Sequence, residues 1–97
     1  MIRILLAEDD DVMREYLARA LTSAGYHVTA VDRGTEAVPY IDSGTFDLLL
    51  SDIVMPEMDG IELAQHTAKV APQTQVMFIT GFAAVSLRAE ENVPQAK

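Results

Sequence analysis

The sequence predicts an α/β fold in which helices cover a doubly wound parallel sheet. Short apolar segments alternate with amphipathic ones along the chain, in the order β-α-β-α-β-α-β. This alternation is typical of parallel strands that are joined by right-handed crossovers. Acidic residues follow the first and third apolar segments, at Glu8–Asp11 and at Asp52. Because ligands bind beyond the carboxyl ends of parallel strands, the pattern also indicates where a functional site would lie.

The first strand is predicted at Ile2–Ala7, a short apolar segment that ends in the acidic residues. From Val12 to Ala24, apolar residues recur three and four positions apart, which is typical of an amphipathic helix. Asp10 or Asp11 is expected to cap the start of this helix, where a carboxylate also suits the helix dipole. Gly25 is expected to end the helix in a left-handed conformation.

The next segment, from Tyr26 to Val31, is rich in β-branched residues and predicts the second strand. Thr35 is expected to cap a second helix that runs to about Ser43. Three of its apolar residues should face inward: Ala37, Val38 and Ile41. Pro39 lies at the edge of the first turn, where its ring would clash with the preceding backbone. We therefore expect this helix to be distorted or to start late.

The third strand is predicted at Leu48–Asp52, where an aliphatic segment ends in a single carboxylate. Pro56 should stiffen the following loop, because proline fixes φ and cannot donate a backbone hydrogen bond. Gly60 marks where the third helix begins, and the amphipathic pattern continues from Ile61 to about Val70.

The last predicted strand is Gln75–Thr80, which Gly81 ends. A short helix is predicted from Ala83 to Arg88. The polar stretch after it contains Pro94 and is assigned no element.

Composition limits the classes of function. The 97 residues suffice for one domain, and a hydrophobic content of 49% fits a globular chain. A net charge of −8 argues against binding to a nucleic-acid backbone and suits a cation or a basic partner. The chain has no cysteine, which excludes disulfides and thiolate metal sites. The basic residues form no stripe, so five of them are predicted to be solvated charges: Arg14, Arg19, Arg33, Lys69 and Arg88. No leader pattern or membrane-spanning segment is recognisable, which predicts a cytoplasmic protein.

The acidic residues predict a metal site. If the first strand is central, its carboxyl end lies beside that of the third, so Glu8 and Asp9 meet Asp52. Three carboxylates repel one another unless a cation or a proton joins them. Mg²⁺ suits such a site, and a carboxylate beside it can accept a phosphoryl group as an acyl phosphate. Thr80 ends the fourth strand, where its hydroxyl can hydrogen-bond an added phosphoryl oxygen. A solvated acidic helix start and a purely structural threonine are the alternatives.

Together these residues resemble the active-site set of the response-regulator receiver family of two-component signalling, which has a CheY-like, flavodoxin-like fold. The most specific part is the Asp-Ile-Val-Met-Pro-Glu-Met-Asp-Gly motif that starts at Asp52. The resemblance covers essentially the whole chain. It implies that Asp52 is the phosphoacceptor and Thr80 the switch hydroxyl. It also implies Mg²⁺ bound directly by Asp9, through water by Glu8, and by the backbone carbonyl of Val54.

The same resemblance implies partners. Receivers take their phosphoryl group from a histidine kinase or a histidine phosphotransfer protein. The residues around these motifs also resemble the CpdR subgroup of single-domain receivers, which implies an adaptor that regulates proteolysis by ClpXP. An isolated receiver domain of a larger regulator is one alternative, and a binding module that never carries phosphate is another. A metal-dependent phosphohydrolase is a third, but such enzymes place a second aspartate two residues after the nucleophile, where this chain has Val54.

The chain departs from the family at its end. Receivers have a fifth strand and a fifth helix, with a lysine at the end of that strand. Lys97 follows Pro94 rather than an apolar segment, so we do not assign it that role. We therefore expect residues 1–97 to form one receiver domain that lacks the fifth strand and helix. Its fourth strand would then be an unprotected edge, which predicts self-association.

Overall fold

A five-stranded sheet with helices on both faces forms the centre of the computed structural model. The structure describes residues 1–80 and 83–86, and side chains for residues 1–79. The elements, in chain order, are β1 (Arg3–Ala7), α1 (Asp11–Ser23), β2 (His27–Val31), α2 (Gly34–Asp42), β3 (Leu48–Asp52), α3 (Gly60–Val70), β4 (Gln75–Thr80) and β5 (Ala83–Ser86). None of the described helices is both long and apolar enough to cross a membrane.

The sheet has the strand order β2-β1-β3-β4-β5, and its first four strands are parallel. This confirms the predicted doubly wound parallel sheet and the central position of β1. Ala7 at the end of β1 pairs with Ser51 of β3, and Asp52 pairs with Ile79 of β4. The carboxyl ends of these three strands therefore lie at one edge, as the predicted site requires.

The hydrophobic core lies on both faces of the sheet because side chains alternate along each strand. On one face, Leu5 and Leu49 pack with α2 and α3 through residues such as Ile41 and Leu63. On the other face, Ile4 and Leu50 belong to a second cluster. Its neighbours from α1 are Leu17, Ala18 and Leu21. Full burial of each large aliphatic side chain stabilises the fold by about 1.5–3 kcal/mol.

The described residues cover the sheet face beside α1 incompletely. The structure describes every residue of α1, and none of them is buried. An apolar groove of about 600 Å³ opens at the amino ends of the central strands. Its lining includes Ile2, Leu21, Leu48 and Met77. The described residues therefore leave an apolar surface beside α1.

Side-chain caps define the starts of α1 and α3. The Asp10 carboxylate accepts hydrogen bonds from the backbone N–H groups of Val12 and Met13, which confirms the predicted cap. Gly25, just beyond α1, has φ of 102°, which confirms the left-handed end. At α3, the carboxylate of Asp59 and the side chain of Glu62 form a capping box that the sequence analysis had not identified.

The prediction for α2 was wrong about its start. Arg33, not Thr35, occupies the N-cap position, and no side chain caps the helix there. Gly34 is buried, and a Cβ on it would overlap the carbonyl oxygen of Met58. This close tertiary packing sets the first residue of α2, so the helix does not start late. Pro39 lies inside it, and the helix still continues to Asp42.

The structure also corrects the prediction for the segment after β4. Ala83–Ser86 forms the short antiparallel strand β5, not a helix, and pairs with Met77–Thr80 of β4. The prediction that β4 would be an open edge was therefore wrong, because β5 occupies that edge. The four parallel strands and three helices agree with the predicted fold, and no parallel fifth strand occurs in residues 1–80 or 83–86. Gly81, Arg88, Pro94 and Lys97 lie outside the described residues.

Candidate functional site

Three carboxylates converge at the carboxyl ends of β1 and β3. One carboxylate oxygen from each of Glu8, Asp9 and Asp52 lies within 4.8 Å of the others. The adjacency of β1 and β3 explains this convergence, since both strands end at the same level of the sheet. The structure thus brings together the three acidic residues that the sequence analysis selected.

Glu8 is the buried member of the site, with 4% of its surface exposed. Its Oε2 accepts a hydrogen bond from the backbone N–H of Asp10 at 3.0 Å, and its own N–H donates to the Val31 carbonyl at 3.1 Å. Burial raises the pKa of Glu8 most strongly, and the hydrogen bond from Asp10 opposes this effect. Repulsion from Asp52 and Asp9 raises the pKa further.

Asp52 is partly buried and held by its own strand end. Its Oδ1 accepts a hydrogen bond from the backbone N–H of Ile53 at 2.8 Å, which orients the carboxylate. Burial raises the pKa of Asp52, and repulsion from Asp9 adds to that rise. Hydrogen bonds from the backbone N–H groups of Ile53 and Val54, and one with Glu8, act in the opposite direction.

Asp9 is exposed and differs from its two neighbours. Within residues 1–79, whose side chains are described, its carboxylate makes no hydrogen bond. Asp9 lies beside two carboxylates whose pKa values are raised, and the three groups together offer oxygen ligands that suit a hard divalent cation. Mg²⁺ is therefore compatible with these residues, because it takes one or two carboxylates and keeps several waters.

The loop after Asp52 is fixed by close backbone contacts. The N–H of Gly60 donates to the Ile53 carbonyl at 2.7 Å, and a Cβ on Gly60 would overlap the Asp52 carbonyl oxygen. Within the loop, Glu57 has a φ of 72°, which is unusual for a residue with a side chain. Val54, two residues after Asp52, is 77% exposed. The loop thus folds tightly over the end of β3 while its first part stays accessible.

Thr80 is placed by its backbone alone. It is the last residue of β4, directly after Ile79, the partner of Asp52 in the sheet register. This position puts Thr80 at the same edge of the sheet as the acidic residues. Its side chain lies outside the described side chains.

Arg14 lies near the site, which the sequence analysis did not predict. Its side chain is only 24% exposed, so the prediction of a solvated charge was wrong. Nη1 donates to the Glu8 backbone carbonyl at 3.0 Å, and Nη2 donates to Asp11 Oδ1 at 2.6 Å. An arginine one turn into a helix that follows an acidic loop was the available signal. By contrast, Arg19 is 79% exposed, as predicted.

Comparison with known proteins identifies the family. Residues 4–95 match the response regulator receiver domain along nearly the whole chain. The protein belongs to the response regulator receiver family. Receiver domains are signalling domains of two-component systems, and they bind Mg²⁺ at an acidic pocket. In this receiver, Glu8, Asp9 and Asp52 form an acidic cluster of this kind.

Two curated relatives come from Brucella abortus (strain 2308). The receiver is 55% identical over 95 residues to the response regulator receiver protein CpdR, which covers 98% of this chain and 79% of CpdR. It is 40% identical over 82 residues to the sensor kinase CckA, which covers 82% of this chain but only 9% of CckA. Receiver sequences thus occur both in short proteins and within much longer ones.

The response regulator TrrA is similar in structure. The crystal structure of Thermotoga maritima TrrA in complex with Mg²⁺-BeF has a TM-score of 0.79 and 32% identity. The alignment covers 86% of this chain and 72% of TrrA. TrrA in complex with the histidine kinase ThkA has a TM-score of 0.77 at the same identity and coverage. Receiver domains thus interact with histidine kinases, as TrrA does.

Proposed function

We propose that this receiver accepts a phosphoryl group on Asp52 in the presence of Mg²⁺ and relays it as a conformational signal. The observation that supports the proposal is the convergence of Glu8, Asp9 and Asp52 within 4.8 Å at one edge of the sheet. The protein acts as a phosphoacceptor rather than as an enzyme with its own substrate, apart from its own phosphorylation and dephosphorylation.

In the proposed transfer, Asp52 is the nucleophile. A carboxylate oxygen of Asp52 forms a bond to phosphorus while the P–N bond of a phosphohistidine donor breaks. The electron pair of that bond stays on the histidine nitrogen, which then takes up a proton. The product on Asp52 is an acyl phosphate. The hydrogen bond from the Ile53 N–H to Oδ1 holds the nucleophile in one orientation, which favours attack.

Mg²⁺ would be held by Asp9 and Asp52 directly, by Glu8 through water, and by the backbone carbonyl of Val54. When bound, the ion neutralises charge on the transferred oxygens. The Asp9 carboxylate makes no hydrogen bond to the side chains and backbone of residues 1–79, which supports this assignment, as does the Mg²⁺-BeF complex of TrrA at 32% identity. Glu8 is buried, which restricts its carboxylate to a position within 4.8 Å of Asp9 and Asp52.

Thr80 is proposed as the switch residue. Its hydroxyl would hydrogen-bond the phosphoryl group on Asp52 and draw the loop after β4 towards the site. The position of its backbone beside the end of β3 supports this role. Such a local hydrogen bond can change the exposed surface of the domain.

We propose a histidine kinase or a histidine phosphotransfer protein as the donor. The family and the complex of TrrA with ThkA support this class of partner. Identity of 55% to CpdR over 98% of the chain further supports a stand-alone, CpdR-like adaptor that regulates ClpXP proteolysis. A receiver domain within a larger regulator is the second candidate, favoured by the match to one part of CckA. The cytoplasmic location stays a prediction from the sequence.

A metal-dependent phosphohydrolase is a weaker alternative. Such an enzyme needs an acid-base aspartate two residues after its nucleophile, and Val54 occupies that position with 77% of its surface exposed. A valine can neither donate nor accept a proton there. A receiver-like module that never carries phosphate is also disfavoured, because the acidic pair and Asp52 are all present.

Labelling with a small acyl phosphate donor tests the proposal. With Mg²⁺, we expect intact-mass analysis to show one added phosphoryl group on the parent, at partial occupancy, and none on Asp52→Asn. Asp42→Asn, which changes an exposed carboxylate that contacts His66, is the matched control and should be labelled like the parent. Labelling of Asp52→Asn at the parent's level would exclude Asp52 as the acceptor.

Beryllofluoride separates a phosphoacceptor from a module that binds without phosphate. With Mg²⁺, this phosphoryl mimic should shift the backbone amide signals of Asp52 and Thr80 in the parent. The same addition should leave the signals of Asp52→Asn unchanged. An unperturbed parent spectrum would favour the binding module.

A further inference from the structure

Arg14 joins α1 to the acidic loop that precedes it. Its guanidinium donates to the carbonyl oxygen of Glu8 at 3.0 Å and to Oδ1 of Asp11 at 2.6 Å. Asp11 is 86% exposed, and ion pairs at such positions contribute little. The bond to the Glu8 carbonyl is part-buried and comes from a charged donor, which makes it the stronger contact.

The Glu8 carbonyl belongs to the peptide group that leads directly into Asp9. Other contacts hold the remaining parts of Glu8: its N–H bonds to Val31, and its carboxylate accepts from the N–H of Asp10. Because a peptide group is planar, fixing its carbonyl oxygen also fixes the direction in which the chain enters Asp9. The Asp9 carboxylate has no hydrogen bond of its own within residues 1–79, so its backbone must orient it.

The charge of Arg14 and its hydrogen bond to the Glu8 carbonyl predict opposite effects of its removal on cation affinity. A guanidinium this close to the acidic loop repels a cation, so by Coulomb's law its removal should strengthen cation binding. If the guanidinium instead holds the peptide before Asp9, its removal should weaken binding, because a ligand that is free to rotate must be ordered by the ion. The sign of the change in affinity therefore separates the two roles.

We propose that Arg14 is a positioning residue for the divalent-cation site, acting through the Glu8 carbonyl to orient Asp9. This inference rests on the proposed Mg²⁺ site of the receiver. It assigns Arg14 no contact with the ion. It also gives the first turns of α1 a role in shaping the site beyond packing on the sheet.

Mg²⁺ titration of four variants tests the inference, at an ionic strength of about 0.15 M, where exposed charges are largely screened. Arg14→Met removes the charge and the donors while keeping a good helix former. Arg14→Lys keeps the charge but loses the planar pair of donors. Arg19→Met removes the same charge from an exposed position of α1 and is the matched control. Asp9→Asn tests the site itself.

We expect Arg14→Met to bind Mg²⁺ about tenfold more weakly than the parent, as is usual when a group that orients a ligand is lost. The Mg²⁺ affinity of Arg14→Lys should lie between those of Arg14→Met and the parent. The affinity of Arg19→Met should equal that of the parent. In the absence of Mg²⁺, the ¹⁵N signal of the Asp9 amide should also move in Arg14→Met, since the hydrogen bond to the preceding carbonyl is gone. Arg19→Met should leave that signal in place.

Affinity equal to or tighter than that of the parent in a folded Arg14→Met would overturn the inference. If Arg14→Met does not fold, parent-like affinity in Arg14→Lys overturns it and weaker affinity supports it. A parent that binds no Mg²⁺, or an Asp9→Asn that binds like the parent, would remove the proposed site and this inference with it. Loss in Asp9→Asn with no loss in either Arg14 variant refutes only the role of Arg14.

Discussion

At the scale of the residue, three carboxylates of the same chemistry have three different environments. Glu8 is 4% exposed and its carboxylate is held by a backbone N–H, whereas Asp9 is exposed and unengaged within the described side chains. Asp52 is intermediate and oriented by Ile53. Burial, not sequence neighbours, is the largest cause of the raised pKa values of Glu8 and Asp52. Without a cation, this site therefore destabilises the folded protein at neutral pH.

The first prediction follows from the raised pKa of Asp52. A carboxyl group whose pKa is higher in the folded state stabilises that state below its unfolded pKa, about 4, and the contribution is lost as pH rises through the folded pKa. Asparagine cannot ionise, so Asp52→Asn should have a higher Tm than the parent at pH about 7. The difference should shrink as pH falls towards about 4.

Thermal unfolding across pH, without Mg²⁺, measures this effect. Addition of Mg²⁺ should raise the Tm of the parent more than that of Asp52→Asn, because the ion also relieves the repulsion. Asp42→Asn provides the control for loss of an exposed carboxylate. A Tm of Asp52→Asn below that of the parent at every pH would contradict the prediction.

At the scale of the element, the connection from β3 to α3 is fixed at both ends. Asp52 begins it, and Gly60 ends it with its N–H on the Ile53 carbonyl. Asp59 and Glu62 then cap α3 reciprocally, which stabilises the helix start. The backbone at Gly60 lies against the carbonyl of Asp52, so the first residue of α3 is in close contact with the proposed phosphoacceptor.

The second prediction concerns Gly60→Ala. A Cβ at this position would overlap the Asp52 carbonyl oxygen, so the backbone must move. Such overpacking typically costs about 1–3 kcal/mol, and here it should also displace Asp52. We expect urea unfolding to show this loss and phosphoryl labelling to fall. Gln65→Ala, at an exposed position of α3, should change stability by less than about 0.5 kcal/mol.

At the scale of the molecule, the two faces of the sheet are covered unequally. Helices α2 and α3 cover one face with fully buried residues such as Ala37 and Leu63. In the described part of the chain, α1 is the helix on the other face, and it has no buried residue. It lies beside the groove of about 600 Å³. The edge of β4 is occupied by β5, so among the described residues this apolar groove is the surface that favours association.

The third prediction is that the 97-residue chain self-associates through the groove rather than by pairing along β4. Light scattering across a dilution series should show a mass that rises with concentration. Added salt should strengthen association, because copies with a net charge of −8 repel one another. Ile2→Lys, in the groove, should shift the chain towards monomer, whereas Val70→Lys, on α3, should not. A monomer at every concentration would contradict this prediction.

Most of the fold was predictable because its determinants are local. The aliphatic segments and the three-and-four spacing of α1 and α3 depend only on residues near in sequence. The meeting of Asp9 with Asp52 was also predictable, since parallel strands on a central β1 end at one edge. The cap by Asp10 and the left-handed Gly25 follow from similarly local chemistry.

The sequence alone determined the alternation of strands and helices, and it determined which acidic residues follow the strands. Only the tertiary structure decided the start of α2, where Gly34 packs against Met58, and the antiparallel pairing of Ala83–Ser86 with β4. It also decided the bond from Arg14 to the Glu8 carbonyl. The contact of Gly34 with Met58 joins residues that are far apart in sequence, and the pairing of β5 joins backbone groups, so a side-chain pattern shows neither. For Arg14 the sequence shows its position one turn into the helix, but not which backbone group it would bond.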